Sequence, residues 1–245
     1  MEFSDDAIVL SVRAHGESSA ILDVLTRAHG RHQGLVRGGA SRKSRPVLQP
    51  GNTVRVEWRA RLSEHLGNFT VEPVKTRAAA MMEDGAALTG LNAFTGVASF
   101  ALPERETHEP VFEAAEILLD AIAADDFAHW APLYVRWEAG LLDALGFGFD
   151  LTRCAATGTT DDLRYVSPRS GRAVSGAAGE PYKERLFRLP GFLLGSQNSD
   201  PSPGEIAAGL KLTAHFLRER VLMPHGREMP AARSRLDELA ARESP

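Results

Sequence analysis

The sequence predicts an α+β protein in which a small N-terminal β barrel is followed by a mainly helical region. Two observations support this prediction. Before Lys75, apolar residues tend to alternate with polar ones, and after Lys75 they recur about every 3.6 residues. With 245 residues, 43% of them hydrophobic, the chain is long enough for one or two domains with buried cores. We place the domain boundary so that the barrel spans 1–78 and the helical domain spans 79–245.

Five short strands, separated by polar or glycine-containing turns, are predicted in the first region. Their ranges are 7–13, 20–26, 30–39, 52–59 and 68–72. Five short strands in so small a segment are what a closed barrel of the OB type requires. In such barrels one face and its loops bind single strands or oligomers. Segment 40–46 is basic, small and polar, so we expect an exposed loop or a single helical turn there.

The second region is predicted to be helical, with one β insertion. The predicted helices span 81–100, 109–124, 129–145, a segment that begins near Pro203, and 233–241. Between residues 150 and 190 the pattern changes to short strands and turns, with a hairpin at 163–172. Trp130, Tyr134 and Trp137 share one helix face, which favours a place in the core over a cofactor site.

Charge is distributed unevenly along the chain. The whole chain has 28 Lys and Arg against 32 Asp and Glu, and the resulting net charge of −4 alone argues against a nucleic-acid partner. Residues 27–61, however, contain nine Lys and Arg and one acidic residue, Glu57, a local net charge of +8. Such a cluster is typical of proteins that bind phosphate backbones. A solvated basic surface without a ligand is the alternative that composition leaves open.

Motifs of the common enzyme classes are absent from the sequence. It contains no Walker-type loop, no complete dinucleotide fingerprint, no HExxH pair and no GxSxG elbow. The acidic pairs at 125–126 and 161–162 are interpreted as helix caps or turns. We therefore predict a protein that is not an enzyme, with no catalytic residue, no metal and no cofactor.

Cysteine content and hydropathy bear on the cellular compartment. With Cys154 as the only cysteine, an intramolecular disulfide is excluded. No run approaches the roughly 18 apolar residues of a membrane span, and the start MEFSDDAIVL is acidic where a signal peptide is basic. These features predict a cytoplasmic location.

The order of several short segments resembles the RecO family of bacterial recombination mediators. In the N-terminal part the matching residues are 7–10, 17–18, 25–26, Gly30, 38–42, Ser44 and 48–50. In the C-terminal part they are 141–151, Cys154, 165–167 and 170–171. The similarity covers roughly residues 5 to 225.

The resemblance implies an N-terminal OB fold, a central helical domain and a small ribbon near the C-terminal helices. It further implies binding of single- and double-stranded DNA without ATP and annealing of complementary strands. The partners it implies are RecR and the acidic, hydrophobic C-terminal tail of single-stranded-DNA-binding protein (SSB). Together with RecR, such proteins help to load RecA onto SSB-coated DNA. The expected role is DNA repair and homologous recombination after DNA damage, in the nucleoid region of the cytoplasm.

One departure from the family concerns zinc. Many relatives carry two Cys-x-x-Cys pairs that form a zinc ribbon, and the corresponding positions here are Cys154, Thr157, Ser175 and Ala178. A single thiol cannot complete a tetrahedral zinc site. We therefore expect a degenerate, metal-free ribbon at about 150–190, with Cys154 buried as a small apolar residue.

We predict that the barrel contacts DNA phosphates through eight basic residues. They are Arg31, Arg37, Arg42, Lys43, Arg45, Arg55, Arg59 and Arg61. Trp58 is a candidate for base stacking, but its alternation with Val54 and Val56 favours burial in the core. Arg136 and Arg218 are predicted to flank an apolar groove of the helical domain that holds the SSB tail.

Two other classes of function remain open at this point. The chain could be a scaffold whose basic face binds an acidic protein partner and not DNA directly. It could also be a hydrolase or transferase, because sequence spacing does not reveal carboxylates or a Cys–His pair that converge only in the fold.

Overall fold

A computed structural model describes residues 1–62, 64–195 and 200–243. The chain divides into two compact units, residues 1–124 and 125–245, called unit 1 and unit 2 below. The change from strand to helix lies between Lys75 and Ala78, and the helices that follow it as far as Ala124 belong to the same compact unit as the strands. Among the described residues, no helix is both long and apolar enough to cross a membrane.

Five strands form a ring in unit 1 and confirm the predicted OB arrangement. They are β1 (Glu2–His15), β2 (Ser19–Thr26), β3 (Gly30–Val36), β4 (Thr53–Arg59) and β5 (Asn68–Lys75). The order around the ring is β1-β2-β3-β5-β4, and β4 pairs with β1. Only the short contact between β3 and β5 is parallel. β1 begins earlier than predicted because its first residues continue the antiparallel pairing with β4 as far as Glu2 and Arg59.

The barrel interior is filled by side chains that alternate along the strands. Val54, Val56 and Trp58 on β4 are at most 3% exposed, as their alternation predicts. Trp58 donates its indole N–H to the carbonyl oxygen of Leu66 at 3.0 Å, which satisfies its one polar atom. Gly67 has a φ of +68°, and a Cβ there would lie 2.4 Å from Trp58 Nε1, so this position requires glycine.

Arg77 connects the barrel to a helix of unit 1. The helices are α1 (Ala78–Glu83), α2 (Gly85–Ala101) and α3 (Glu109–Ala124). The Arg77 side chain is 2% exposed and donates to Glu116 at 2.8 Å and to Asp120 at 2.6 Å, both on α3. It also donates to Thr53 Oγ1 on β4 at 2.7 Å. This network fixes α3 against the barrel.

The single helix predicted over 81–100 is in fact two helices. Asp84 interrupts it with extended backbone, and its side chain accepts the Ala87 N–H at 2.7 Å. Because an aspartate at this position satisfies a free N–H of the first turn, α2 begins anew after Asp84.

Unit 2 consists of helices and a three-stranded sheet. Its elements are α4 (Phe127–Ala144), β6 (Leu163–Val166), β7 (Ala173–Ser175), α5 (Gly176–Gly179), β8 (Phe187–Arg188), α6 (Pro203–Phe216) and α7 (Ala231–Glu243). The sheet order is β7-β6-β8, which confirms a small β insertion with a hairpin. Asp126 caps α4 by accepting the His129 N–H at 3.1 Å, in agreement with the interpretation of the first acidic pair.

A buried ion pair holds α7 against α4 in the core of unit 2. Arg233 and Glu138 are both 0% exposed, and Arg233 Nε lies 2.6 Å from Glu138 Oε1. Arg233 also donates to the carbonyl oxygen of Leu210 on α6 at 2.8 Å. Around this pair, the aromatic stripe of α4 that includes Trp130 and Trp137 is buried, as predicted.

Candidate nucleic-acid interface

The eight predicted DNA-contacting cations of the barrel differ in their surroundings. Arg31, on β3, is the most enclosed, with a side chain 12% exposed. Its Nη2 lies 2.8 Å from Asp23 Oδ2, its Nε donates to both Asp23 oxygens, and its Nη1 donates to the carbonyl oxygen of Leu102 at 3.3 Å. Because these bonds occupy its donors inside unit 1, Arg31 is not placed to contact a phosphate.

Arg55 and Arg59, both on β4, are exposed but have acidic neighbours. Arg55 Nε lies 2.7 Å from Asp6 Oδ1, and this hydrogen bond raises the pKa of Arg55. Arg59 Nε lies 3.2 Å from Glu2 Oε2, and its Nη2 lies 4.0 Å from Glu57 Oε2. Such exposed pairs contribute about 0–1 kcal/mol, so a phosphate can compete for either arginine.

The other five cations are exposed and lie within 4.0 Å of no carboxylate among the described residues. They are Arg37, Arg42, Lys43, Arg45 and Arg61. Four of them lie in the β3–β4 loop. Most of the barrel cations that have no carboxylate nearby are therefore in this one segment. We call these five residues the free cations.

The β3–β4 loop is folded into hydrogen-bonded turns, which confirms the expectation for segment 40–46. Ser44 N–H donates to the Ser41 carbonyl oxygen at 3.2 Å, and Leu48 N–H donates to the Ser44 carbonyl oxygen at 3.1 Å. Leu48 is 2% exposed and belongs to the barrel core. Asn52 donates its amide to the Pro46 carbonyl oxygen at 2.8 Å. The loop is thus anchored at its second half, while its cations project into solvent.

A groove lies beside this loop, where β3 and β5 diverge after their short parallel contact. Its volume is about 780 Å³. Val36, Phe69 and Val71 provide apolar lining, and Arg37, Lys43 and Arg59 provide positive charge. Apolar surface beside cations is what a single strand requires, because its bases pack on apolar surface and its phosphates pair with basic side chains. We call this cavity the basic groove.

The ribbon of unit 2 does not offer the ligands of a zinc site. Cys154 is buried, and the backbone N–H of Ser175, which the family resemblance places at a zinc-ligand position, donates to its Sγ at 3.2 Å. Burial opposes ionisation of the thiol, but hydrogen bonds from Ser175 and Thr157 lower the pKa of Cys154 to about 6. No cluster of three or more metal-ligating side chains occurs in the described part of the chain. The Cys154 sulfur therefore accepts a backbone hydrogen bond within the ribbon.

The structure separates the two cations predicted to flank a peptide groove in unit 2. Arg136, on α4, donates from Nε and Nη2 to the carbonyl oxygen of Phe192 at 3.3 and 3.0 Å. It also lies over the Phe192 ring. It thus bridges α4 to a neighbouring turn and is not among the residues that line the groove at Arg218.

Arg218 does line an apolar groove, of about 410 Å³, that is formed by α6, α7 and β8. Phe187, Leu210 and Ala240 contribute apolar lining. Two further basic side chains, Lys211 and His215, lie beside Arg218. Neither residue was predicted from the sequence, although positions 211 and 215 lie one helical turn apart on α6. We call this cavity the tail groove.

Two models of the same family match the chain and together cover most of it. "Recombination protein O N terminal" matches residues 1–77, and "Recombination protein O C terminal" matches residues 82–228. The first coincides with the barrel and the second with most of the helices.

Full-length relatives agree with these matches. A "DNA repair protein RecO" of Phenylobacterium zucineum (strain HLK1) is 55% identical over 233 residues, 95% of each chain. Proteins of the same name are 51% identical in Cereibacter sphaeroides (strain ATCC 17023), over 99% of this chain and 100% of the relative, and 51% identical in Rhodospirillum centenum, over 96% and 93%. The relatives match the chain over nearly its full length, including the five-stranded barrel, the ribbon and most of the helices. The chain therefore belongs to the RecO family, with a role in DNA repair and recombination.

Proposed function

We propose that this protein is a non-enzymatic recombination mediator that binds single- and double-stranded DNA through its barrel. In this role it anneals complementary strands and, with RecR, helps to load RecA onto DNA coated with SSB, in the nucleoid region of the cytoplasm. The observation that carries the proposal is the group of five free cations, of which Arg37 and Lys43 line the basic groove. These cations have no acidic partner within the described chain to neutralise them, so they are available to phosphates.

Salt dependence of binding tests this proposal directly. Each phosphate of a single strand that pairs with a cation contributes about −0.7 to the slope of log affinity against log salt concentration. Five free cations therefore predict a slope of about −3.5 for the full-length protein. Fluorescence anisotropy with a labelled single strand, repeated at several salt concentrations, measures the slope. Absence of binding at low salt, or a slope near zero, contradicts the proposal.

The alternative is a scaffold that uses the same basic surface for an acidic protein. Such a surface would bind a polyacidic peptide as tightly as DNA of equal charge. An apolar lining beside the cations favours DNA, because unpaired bases supply the flat apolar surface that an acidic side chain lacks. Competition between a poly-glutamate peptide and a labelled single strand distinguishes the two functions.

We also propose that the tail groove binds the C-terminal tail of SSB. An acidic peptide that ends in apolar residues matches a groove with apolar lining and basic side chains at its edge. Asp237 also lines the groove, but its charge is offset by Arg233. Arg218 is paired with its exposed neighbour Glu219 at 3.0 Å, a contact that a peptide carboxylate can replace.

Two substitutions in the full-length protein test the tail groove. Arg218→Ala, combined with Lys211→Ala, should weaken binding of a labelled tail peptide about tenfold, because two charged contacts are lost. Arg136→Ala is the matched control and should leave peptide affinity unchanged, since Arg136 contacts Phe192 outside the groove. Equal losses in the two variants would argue for a general charge effect.

A further inference from the structure

Unit 1 contains a second cavity, lined by aromatic rings, at the end of the barrel where β1 begins. Its volume is about 340 Å³, and its lining includes Phe3, His29, His32, Trp58 and Arg105. The Phe3 ring stacks on His29 with centroids 4.0 Å apart and lies 5.4 Å from the Trp58 ring. We call this cavity the aromatic pocket. Its size and flat walls suit a planar heterocycle.

His32 lines this pocket and has a buried ring nitrogen without a hydrogen-bond partner among the described residues. The residue is 6% exposed, and the nitrogen is its Nδ1. Buried polar atoms in proteins nearly always have a partner, so such an atom beside a cavity indicates a ligand. Burial, followed by the charge of Arg105, lowers the pKa of His32. The ring is thus neutral near pH 7 and can hydrogen-bond to an uncharged partner.

Arg105 has a backbone conformation that is rare for a residue other than glycine. Its φ is +64°, in the left-handed region. The Arg105 N–H donates to the Arg31 carbonyl oxygen at 2.8 Å, and its Nη2 donates to the His65 carbonyl oxygen at 3.1 Å. In this position the guanidinium lies 6.0 Å from the centroid of the Trp58 ring. Backbone strain of this kind concentrates at functional sites, and here it directs a cation to the pocket.

A shallow cavity shares lining residues with both the basic groove and the aromatic pocket. Arg59 lines the basic groove and also this shallow cavity. Glu2 and Phe3 line that shallow cavity and the aromatic pocket as well. A strand whose phosphates lie in the basic groove can thus pass Arg59 on the way to the aromatic rings.

The pocket has charges of both signs, since the carboxylates of Glu2 and Asp5 offset the Arg105 cation, and this balance favours a neutral ring over a phosphate. The Glu2 carboxylate lies at its edge, and the Asp5 carboxylate lies 2.9 Å from His29 Nδ1. Both repel a phosphate, whereas a nucleobase carries no charge and offers donors and acceptors along its edge.

We propose that the aromatic pocket binds one unpaired nucleobase of a DNA strand whose phosphates lie in the basic groove, with His32 hydrogen-bonded to the base edge. This inference rests on the DNA binding proposed above. It adds a contact that only unpaired bases can make, because a base within a duplex is stacked on both faces.

An abasic strand separates the base contact from the phosphate contacts. A 15-nucleotide oligothymidylate and a strand of 15 abasic residues carry the same phosphates, and both are titrated with the full-length protein. Since stacking of one base on aromatic side chains contributes about 1–3 kcal/mol, we expect the oligothymidylate to bind about tenfold more tightly. The ratio of the two affinities is the quantity compared among variants.

Two variants remove the pocket contacts with little risk to the fold. Arg105→Gly suits the left-handed backbone, and His32→Phe keeps an aromatic ring but removes the buried nitrogen. Each should reduce the tenfold ratio to about two and leave the salt slope of the abasic strand within about 0.7 of the wild type. Arg61→Gly is the matched control, because it removes one free cation of the same barrel. It should weaken both strands equally.

The outcomes distinguish the pocket from DNA binding itself. If the wild type binds neither strand, both the inference and the proposed function are wrong. If it binds the two strands equally, the pocket assignment is wrong while DNA binding stands. If it prefers the oligothymidylate and the preference survives in both pocket variants, the bases are bound elsewhere and the inference is overturned.

Discussion

Arg31 and Arg37 belong to the same basic run of the sequence, but they lie in different electrostatic surroundings. The Arg31 side chain points into unit 1, where the Asp23 carboxylate and the carbonyl oxygen of Leu102 accept its hydrogen bonds. Arg37, just past the end of β3, is exposed and lines the basic groove. Each residue adds one positive charge to segment 27–61, but only Arg37 places that charge on the surface that a ligand contacts.

The same contrast extends over unit 1. Arg77 is enclosed by Glu116 and Asp120, whereas the β3–β4 loop holds cations without acidic partners in the described chain. A run of basic residues therefore serves two purposes, namely to fix elements within the fold and to attract phosphates. Whether a cation stabilises the fold or attracts phosphates depends more on its partner than on its position in the run.

Replacement of an enclosed cation should have the largest effect, and this effect should be a loss of stability. Arg77→Met leaves Glu116 without its cation, leaves Asp120 with Lys75 alone and removes the donor to Thr53 Oγ1, so we expect a loss of about 3 kcal/mol in the free energy of unfolding. Arg42→Met, in the exposed loop, should change it by less than about 0.5 kcal/mol. Urea unfolding of the two variants measures the difference. A comparable change in both would remove the distinction between enclosed and free cations.

Arg31→Met should have a similar but smaller effect. Only one carboxylate loses its cation, and because burial already raises the pKa of Asp23, this carboxyl can take up a proton when Arg31 is absent. We expect a loss of about 2 kcal/mol in stability and no change in the salt slope of DNA binding. A slope reduced by about 0.7 would instead show that Arg31 pairs with a phosphate.

Removal of an acid beside the basic groove should have the smallest effect, and it should fall on DNA binding. Glu57→Gln takes away the weaker of the two carboxylates near Arg59, at 4.0 Å. We expect about a twofold gain in affinity for single-stranded DNA at low salt, which disappears as salt screens the charge. Glu17→Gln, at an exposed turn between β1 and β2, is the control and should leave affinity unchanged. Anisotropy titrations at two salt concentrations would detect the difference.

Features with a local cause could be predicted from the sequence. Alternation along β4 predicted which of its residues are buried, because a strand has a period of two. Helical spacing likewise predicted that Trp130 and Trp137 lie in the core of unit 2. Exposure of segment 40–46 followed from its polar composition.

Features that depend on strand register or on distant pairing could not be predicted. Arg31 meets Asp23 only because β2 and β3 pair with Leu25 opposite Arg31 and Asp23 opposite Gln33. Arg233 pairs with Glu138 across 95 positions of the chain, and no local pattern reveals such a partner. The aromatic pocket joins the start of β1, β3, the end of β4 and a residue beyond α2, so its members are not neighbours in sequence.

The role proposed for the free cations of the β3–β4 loop is to bind DNA phosphates. Its most direct test compares two charge-reversal variants with equal change in net charge. One replaces Arg42, Lys43 and Arg45 by Glu, and the other replaces the exposed Arg153, Arg185 and Arg235 of unit 2 by Glu. Three lost phosphate contacts should reduce the salt slope for single-stranded DNA by about 2 in the first variant and leave it nearly unchanged in the second. Equal slopes in the two variants would contradict this role.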